Sequence, residues 1–493
     1  MGIHGGLYGG SLALLTDLYQ VTMAAAYLHA GRDDTEAVFH LYFRENPFGG
    51  GYAVACGLAT ALEYLADFTL DESDLAYLGT LAGADGAPLF SAEALDRLAA
   101  LELSVDVDAV PEGTLVFPNE PLLRIRGPIV QCQLLETPLL NIINFQTLVA
   151  TKAARVVTAA HGDPVLEFGL RRAQGVDGGV AASRAAYAGG CSATSNVLAG
   201  KLFGIPVRGT HAHSWVMAFP SELEAFEAYA EAMPNNVVLL VDTYDTIEGV
   251  RNAITVGLQL RAAGRSLAGI RLDSGDLAAL SIAARELLDK AGLGDVQIVA
   301  SNELDEHVVA SLKAQGARID VWGVGTKLVT AFGQPALGGV YKLSAMRRPG
   351  EEWQQRLKVS ESTAKATDPG IRQVRRFLSA DGSPIGDMIY DTATSLPGPC
   401  TMIDHDDPTL RTSFALGTLW EDLLVPAVRA GAVVYDPPPL PHVHACTLAQ
   451  LDAFGARVTR FLNPHRYPVG LERGLHDLRT RLLLQERGQE GVP

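Results

Sequence analysis

The chain has 493 residues, enough for two or three domains with large cores at roughly 150 residues per domain. Hydrophobic residues make up 48% and charged residues 19%, with a mean hydropathy of +0.14, which excludes an intrinsically disordered chain. Thirty-nine Lys and Arg against 56 Asp and Glu leave a net charge of −17, which excludes a general electrostatic pull toward nucleic acid or anionic lipid. Any anionic ligand must meet a local cluster of cations. The five cysteines are odd in number, widely spread and without a C-x-x-C pair, so reduced thiols and a cytoplasmic location are expected. The N-terminal residues do not read as a secretory signal, so none is expected, and no apolar run approaches the roughly 18 residues of a membrane span.

Residues 16–30 predict a helix with Thr16 or Asp17 as its cap and Gly31 as its stop, and EAVFHLYF at 36–43 predicts a strand. Asn46 to Gly51 is a turn, and 52–125 mixes short helices and strands. From about residue 165 the pattern turns regular: VLEF, PVRG and VVLLVD each lead into a polar or glycine-rich turn. Helices follow, with Ile247, Val250, Ile254 and Leu258 on the expected buried face of the first. Leu277, Leu280, Ala284, Leu287 and Ala291 mark the second, and Leu304, Val308 and Leu312 the third. Strand starts at Val237, Leu267, Val296 and Ile319 are 30, 29 and 23 residues apart, the length of βα units with parallel strands.

Polar residues gather where these strands end: Glu167 and Arg171, Thr210 and His213, Asp242, Arg271 and Asp273, Asn302, Gly325 and Thr326. Six contributing strands favour a barrel with one shared mouth over an open sheet. The expected fold is α/β: an irregular (β/α) barrel with parallel strands over 131–343, plus an α/β domain built from residues 1–130 and a C-terminal segment, 344–493. Within that segment LKVSES predicts a strand, residues around Asp381-Gly382 a hairpin, and the tail from Thr447 a helix broken by NPHRYPVG.

Arg171 and Arg172 stand just beyond a strand, where guanidinium forks bind carboxylate or phosphate, or pair with surface acids. GTHAHSW sets Thr210, His211, His213 and Ser214 at a strand end, where an imidazole serves as base, nucleophile or structural group. Zinc is disfavoured, since no acid or thiol sits at ligand spacing, and HVH at 442–444 reads as loop. LLVDTYDT delivers Asp242 and Asp245, a ribose-binding loop or a helix cap, and Arg271-x-Asp273 puts a cation and an anion on one strand face, a site or an internal ion pair. Gly323, Gly325 and Thr326 resemble a phosphate cradle, with Lys327 beside them, although the spacing is not that of a Walker loop. No acid pattern supports Lys327 as a Schiff-base lysine. Several cations and a glycine cradle at one mouth of an acidic protein suit a substrate with phosphates and a carboxylate.

TDLYQVTM at 16–23, FRENPFGGGYAVACGL at 43–58, EFGLRRAQGVDGG at 167–179, SNVLAG at 195–200 and GTHAHS at 209–214 resemble the nicotinate phosphoribosyltransferase family. So do LLVDTYDT at 239–246, RLDSGDL at 271–277, GVGTKLVT at 323–330 and NPHRYPV at 463–469, nine motifs in order along nearly the whole chain. The resemblance implies a type II phosphoribosyltransferase fold and ATP-coupled transfer of phosphoribosyl from 5-phosphoribosyl 1-pyrophosphate to nicotinate, with Mg²⁺ neutralising the phosphates. It implies His213 as the histidine phosphorylated by ATP, and Asp273 and Arg271 as its catalytic companions. Phe168, Arg171, Thr210, Ser214, Asp242, Asn302, Gly325 and Thr326 are the implied substrate-binding positions, with no metal ligand among the side chains. Tyr19 matches a ring-stacking aromatic contributed by the neighbouring subunit, which implies a homodimer with shared sites; by its pattern alone it is a core helix residue. Nicotinamide phosphoribosyltransferase is the nearest rival, and the doubled arginine favours the nicotinate enzyme. The length and GTHAHS weigh against quinolinate phosphoribosyltransferase, and the presence of His213, Arg271, Asp273 and Thr326 against a catalytically silent scaffold.

Overall fold

The helix expected from Thr16 runs as α1, Leu18–His29, with Asp17 at its N-cap. It opens a computed structural model that describes residues 11–359, 366–396 and 398–488, so the expectation for residues 1–10 lies outside it. The chain divides into two compact units: Met1–Thr147, Ala336–Pro438 and Gln450–Pro493 form the first, Leu148–Pro335 and Pro439–Ala449 the second.

In the first unit β1, Glu36–Tyr42, is buried along almost its whole length, which explains its continuous apolar run. β2 (Asp106–Ala109) and β3 (Leu123–Pro128) follow, with Leu41 of β1 opposite Leu123 of β3. A long helix, α2 (Glu136–Ala160), then carries the chain onward.

The second unit is the regular part. Its strands are β4 (Val165–Glu167), β5 (Ala193–Thr194), β6 (Val238–Leu240), β7 (Gly269–Leu272), β8 (Gln297–Ala300) and β9 (Val321–Val324). They form one sheet in the order β5-β4-β9-β8-β7-β6, with every neighbouring pair parallel, as the βα spacing requires. The helices that matter for the site are α3 (Val176–Ala188), α4 (His213–Met217), α5 (Thr246–Ala262), α6 (Leu277–Lys290) and α7 (Glu306–Ala314) between the strands, and α8 (Thr326–Val329) after the last; Val197–Phe203 and Glu222–Ala232 are two further helices between β5 and β6. The strand expected at PVRG is reduced to one bridge between Thr194 and Val207, and Ala193–Thr194 takes the sheet edge instead. Among the described residues no ladder joins β5 to β6, so the hydrogen-bonded sheet is open where barrel closure was expected.

Two helices are rotated from the expected stripe. In α5 the buried residues are Gly249, Val250, Ala253, Val256, Gly257 and Leu260, while Leu258 is exposed. Glycine is the reason: a Cβ on Gly249 would collide with the carbonyl oxygen of Val241, so the smallest face makes the closest approach. In α6 Leu288 and Ser281 are buried while Leu280 and Leu287 are half-buried.

The chain then returns to the first unit. β10 (Val340–Arg347) pairs antiparallel with β1, and β11 (Arg372–Leu378) and β12 (Pro384–Asp391) make the expected hairpin, with Gly382 at φ +85° in its turn. The strand expected at LKVSES is replaced by the two-residue strand Gln354–Gln355, and residues 360–362 lie outside the described residues. β13 (Cys400–Asp404) and β14 (Val425–Arg429) follow. The HVH stretch is not loop: it lies in α9, Leu440–Thr459, where His444 Nδ1 meets the Tyr187 carbonyl at 2.9 Å. Leu440 opens that helix directly after the Pro437–Pro439 run, a start that proline tolerates. After NPHRYPV come β15 (Val469–Glu472) and α10 (Arg473–Glu486). β1, β2, β3, β10 and β14 belong to a seven-stranded sheet, and β11, β12, β13 and β15 to a six-stranded one.

Candidate active site

All but one of the expected site residues lie in the second unit, most of them at the C-terminal ends of its parallel strands, where ligands of parallel α/β sheets bind, while Thr210, His213 and Ser214 follow the bridge at Val207. β7 ends in the Arg271-Leu272-Asp273 run. Arg271 Nη1 donates to Thr210 Oγ1 at 2.6 Å and to the His211 carbonyl at 3.5 Å, while its Nε is buried without a partner. Burial lowers the Arg271 pKa, Asp273 and Asp242 support its charge, and Arg171 is close enough to oppose it. Two guanidiniums thus lie within electrostatic reach of each other, an arrangement suited to an anion.

His213 opens α4 with its ring 40% exposed. Its Nε2 lies 3.7 Å from Asp273 Oδ2, and its Nδ1 is 3.2 Å from Thr243 Oγ1. One side of the imidazole thus faces a carboxylate and the other a hydroxyl that can accept or donate. Asp273 is held in turn by the Ser301 hydroxyl on Oδ1 and by its own N–H, which donates to Asp242 Oδ2 at 2.8 Å. Ser274 Oγ donates to the same Asp242 oxygen at 2.6 Å, and Asp242 Oδ1 is buried without a partner. Asp245 caps α5 by accepting from the Glu248 N–H at 2.9 Å.

His211 does not join this group. It is buried, its Nε2 accepts from the Leu240 N–H at 3.2 Å, and its ring meets Tyr229 edge-on at 4.7 Å. Burial, with Arg271 and His213 nearby, lowers its pKa to about 4, so it is the neutral structural histidine of the pair.

At the ends of β4 and β9 the chain is packed tightly. The Phe168 N–H donates to the Val324 carbonyl at 2.8 Å, and a Cβ on Gly323 would come within 2.8 Å of the Phe168 ring. Arg171 and Arg172 stand exposed on the single turn after it. Gly325 precedes α8, and Thr326 Oγ1 reaches Glu303 Oε1 at 3.5 Å. Lys327 is committed elsewhere, to Asp305 at 2.7 Å. Asn302 is exposed and holds φ +94°, a left-handed conformation rare outside glycine. Ser214 is exposed on α4. Tyr19 lies in the first unit on α1, half exposed rather than the core residue its pattern suggests. Thr243, Ser301 and Glu303 were not among the expected residues; each lies within two positions of one that was.

The first unit has a cavity of about 230 Å³, lined by Arg44, Asn119, His405, His465 and Arg466 among others. Two motifs thus line it, FREN and NPHRYPV. Tyr467 of the latter donates to Asp387 at 2.8 Å beside the buried Arg376–Asp387 pair, and stacks on Phe117 at 4.3 Å.

Three family models match in order along the chain: the nicotinate phosphoribosyltransferase N-terminal domain over residues 14–144, the nicotinate phosphoribosyltransferase family over 165–368, and its C-terminal domain over 371–479. The chain belongs to the nicotinate phosphoribosyltransferase family. It is 42% identical over 489 residues to a nicotinate phosphoribosyltransferase of Bacillus subtilis, covering 97% of this chain and 98% of the relative. The human nicotinate phosphoribosyltransferase is 37% identical over 536 residues, covering 94% and 95%. The crystal structure of human nicotinic acid phosphoribosyltransferase matches with a TM-score of 0.82 at 35% identity, over 95% of this chain and 99% of that one. A nicotinate-nucleotide pyrophosphorylase of Pyrococcus furiosus shares the fold, with a TM-score of 0.67 at 21% identity over 90% and 96% of the two chains. Among the described residues no helix is long and apolar enough to cross a membrane.

Proposed function

We propose that this enzyme transfers the phosphoribosyl group of 5-phosphoribosyl 1-pyrophosphate to nicotinate, releasing pyrophosphate and giving nicotinate mononucleotide, with ATP hydrolysed to ADP and phosphate in step. The observation that carries the proposal is the meeting of Arg271, Thr210, His213 and Asp273 in a chain that three models of this family match over 14–144, 165–368 and 371–479. The pyridine nitrogen attacks C1 of the ribose as the bond from C1 to the pyrophosphate oxygen breaks. Positive charge then builds on the ribose while negative charge leaves, so anions belong beside the ring and cations beside nicotinate and the phosphates.

In this scheme Arg271 and Arg171 face the nicotinate carboxylate, with Thr210 orienting Arg271 and Phe168 walling the ring. Asp273, supported by Asp242, stands beside the ribose. Gly325 and Thr326 cradle the 5-phosphate, with Asn302 and Ser214 at the rim. His213 accepts the phosphoryl group of ATP, its ring oriented by Asp273 and Thr243. Asp242, whose Oδ1 is without a hydrogen-bond partner, would supply an oxygen to magnesium brought in with pyrophosphate or ATP, where the ion would neutralise phosphate charge. We read the parallel sheet as the wall of an irregular (β/α) barrel. Tyr19 is assigned to the site of a neighbouring subunit, which makes the enzyme a homodimer; its half-exposed ring supports this. Five free cysteines support a cytoplasmic location.

The test follows mononucleotide formation from 5-phosphoribosyl 1-pyrophosphate with nicotinate or nicotinamide, each with and without MgATP. Turnover of nicotinate stimulated by ATP is expected; preference for nicotinamide overturns the carboxylate assignment, and silence with both overturns the function. His213→Ala is expected to lose the ATP stimulation and keep some uncoupled synthesis. If ATP still accelerates that variant, His213 is not the phosphoacceptor.

A further inference from the structure

Glu167 ends β4, is wholly buried, and takes no part in the chemistry above. Its carboxylate collects three hydrogen bonds: the Gly169 N–H donates to Oε1, and Ser183 Oγ (2.8 Å) and Thr194 Oγ1 (2.6 Å) donate to Oε2. Ser183 belongs to α3 and Thr194 to β5, so one side chain ties the turn after β4 to two other elements. Asn196 closes the network, its Nδ2 donating to Ser183 Oγ at 3.1 Å and its N–H to Thr194 Oγ1 at 2.9 Å. Among the described residues no cation pairs with Glu167, so its charge rests on these neutral donors, each of which therefore counts.

The Gly169 amide is the join between this buried network and the candidate site. It sits between Phe168 and Arg171, in a turn with no room to shift: a Cβ on Gly169 would run into the Val329 side chain and come within 2.9 Å of the Gly325 carbonyl oxygen. Arg171 itself is exposed, and the short turn Leu170–Arg172 has no buried residue to anchor it. The anchor is beneath it, at Gly169.

We propose that Glu167 is a positioning residue for nicotinate: by holding the Gly169 N–H it sets the turn that aims Phe168 and Arg171 at the substrate. This rests on the assignment of Phe168 and Arg171 to nicotinate given above. Glu167→Gln keeps the volume but puts an NH₂ donor where three donors converge. KM for nicotinate is expected to rise about tenfold, on the order of one lost charge-assisted hydrogen bond, while kcat and KM for 5-phosphoribosyl 1-pyrophosphate change less than about twofold. A merely structural role would lower the melting temperature and leave that split unseen, and overturns the proposal. Ser183→Ala removes one donor and keeps the charge; about a threefold rise in the same KM is expected, and this variant decides the question if Glu167→Gln does not fold. Arg171→Ala is measured beside them. If it leaves KM for nicotinate unchanged, the assignment of Arg171 falls and the positioning role with it. If it raises KM while Glu167→Gln and Ser183→Ala do not, only the positioning role falls. The Glu167→Gln/Arg171→Ala double variant is expected to lose less than the sum of the two single losses, keeping only the share that passes through Phe168, and fully additive losses overturn the coupling.

Discussion

Asp242 and Asp273 share a neighbourhood and have different work. Asp242 spends one oxygen on the Asp273 N–H and the Ser274 hydroxyl, so it shapes the turn that presents Asp273. Asp273 keeps Oδ2 toward His213 because Ser301 occupies its other oxygen. A second acid cluster, in the first unit, governs stability instead. Asp368 is buried against Arg372 (3.2 Å), His405 (3.1 Å) and Arg479 (2.8 Å). Burial alone would lower the His405 pKa, but Asp368 and the hydrogen bonds to Asp368 and Asp406 override it and raise it to about 9. Burial would raise Asp368, but His405, Arg372 and Arg479 hold it well below the usual carboxylate range. The sign follows: His405, raised from an ordinary value near 6.5, contributes stability fully present below pH 6.5 and lost as pH rises through about 9. The depressed Asp368 loses its contribution only in acid. His40, buried and held neutral beside Arg372, matters only below pH 6.5. The melting temperature is therefore expected to fall between pH 6.5 and 9, by up to roughly 3 kcal/mol of stability, and His405→Gln should flatten that slope. An unchanged slope in His405→Gln would show that the decline belongs to other groups.

At the scale of elements, α5 shows which of two plausible faces a helix buries. Its leucine and isoleucine stripe competes with a face bearing Gly249, Ala253 and Gly257, and the glycine face wins because it lets the helix approach β6 to backbone contact. Gly249→Ala is expected to cost about 1–3 kcal/mol in thermal or urea unfolding, since the helix must move off Val241. Leu258→Ala, on the exposed face, should stay within about 0.5 kcal/mol. The reverse ranking would restore the apolar stripe as the buried face. Periodicity alone could not choose, because large apolar side chains and close helix packing make opposite demands on the same turn of helix.

For the whole molecule, the proposed homodimer has a test independent of any structure of the pair. Tyr19→Ala and His213→Ala are each expected to weaken ATP-stimulated synthesis, through different chains of one shared site. Mixed and refolded together in equal amounts, half the dimers carry one chain of each kind, and one of their two sites is free of both changes. About a quarter of wild-type activity should therefore return, beyond the sum of the two variants. If no activity returns, Tyr19 and His213 do not serve one site from two chains.

Much of this protein was legible without coordinates. The βα spacing determined parallel strands, and the polar residues expected after β4, β6, β7, β8 and β9 lie at those strand ends, because a parallel strand must hand its chain to a helix at the same edge each time; Thr210 and His213 instead follow the single bridge at Val207. The nine motifs determined the family. Tertiary structure alone decided which of two histidines, 211 and 213, is buried and which faces Asp273, since both carry the same side chain two residues apart. It also decided that Glu167 holds a turn rather than a cation, that Lys327 is spent on Asp305, and that α5 turns its glycines inward. Those outcomes depend on residues far apart in the chain competing for the same space and the same hydrogen bonds. No local pattern records who wins that competition.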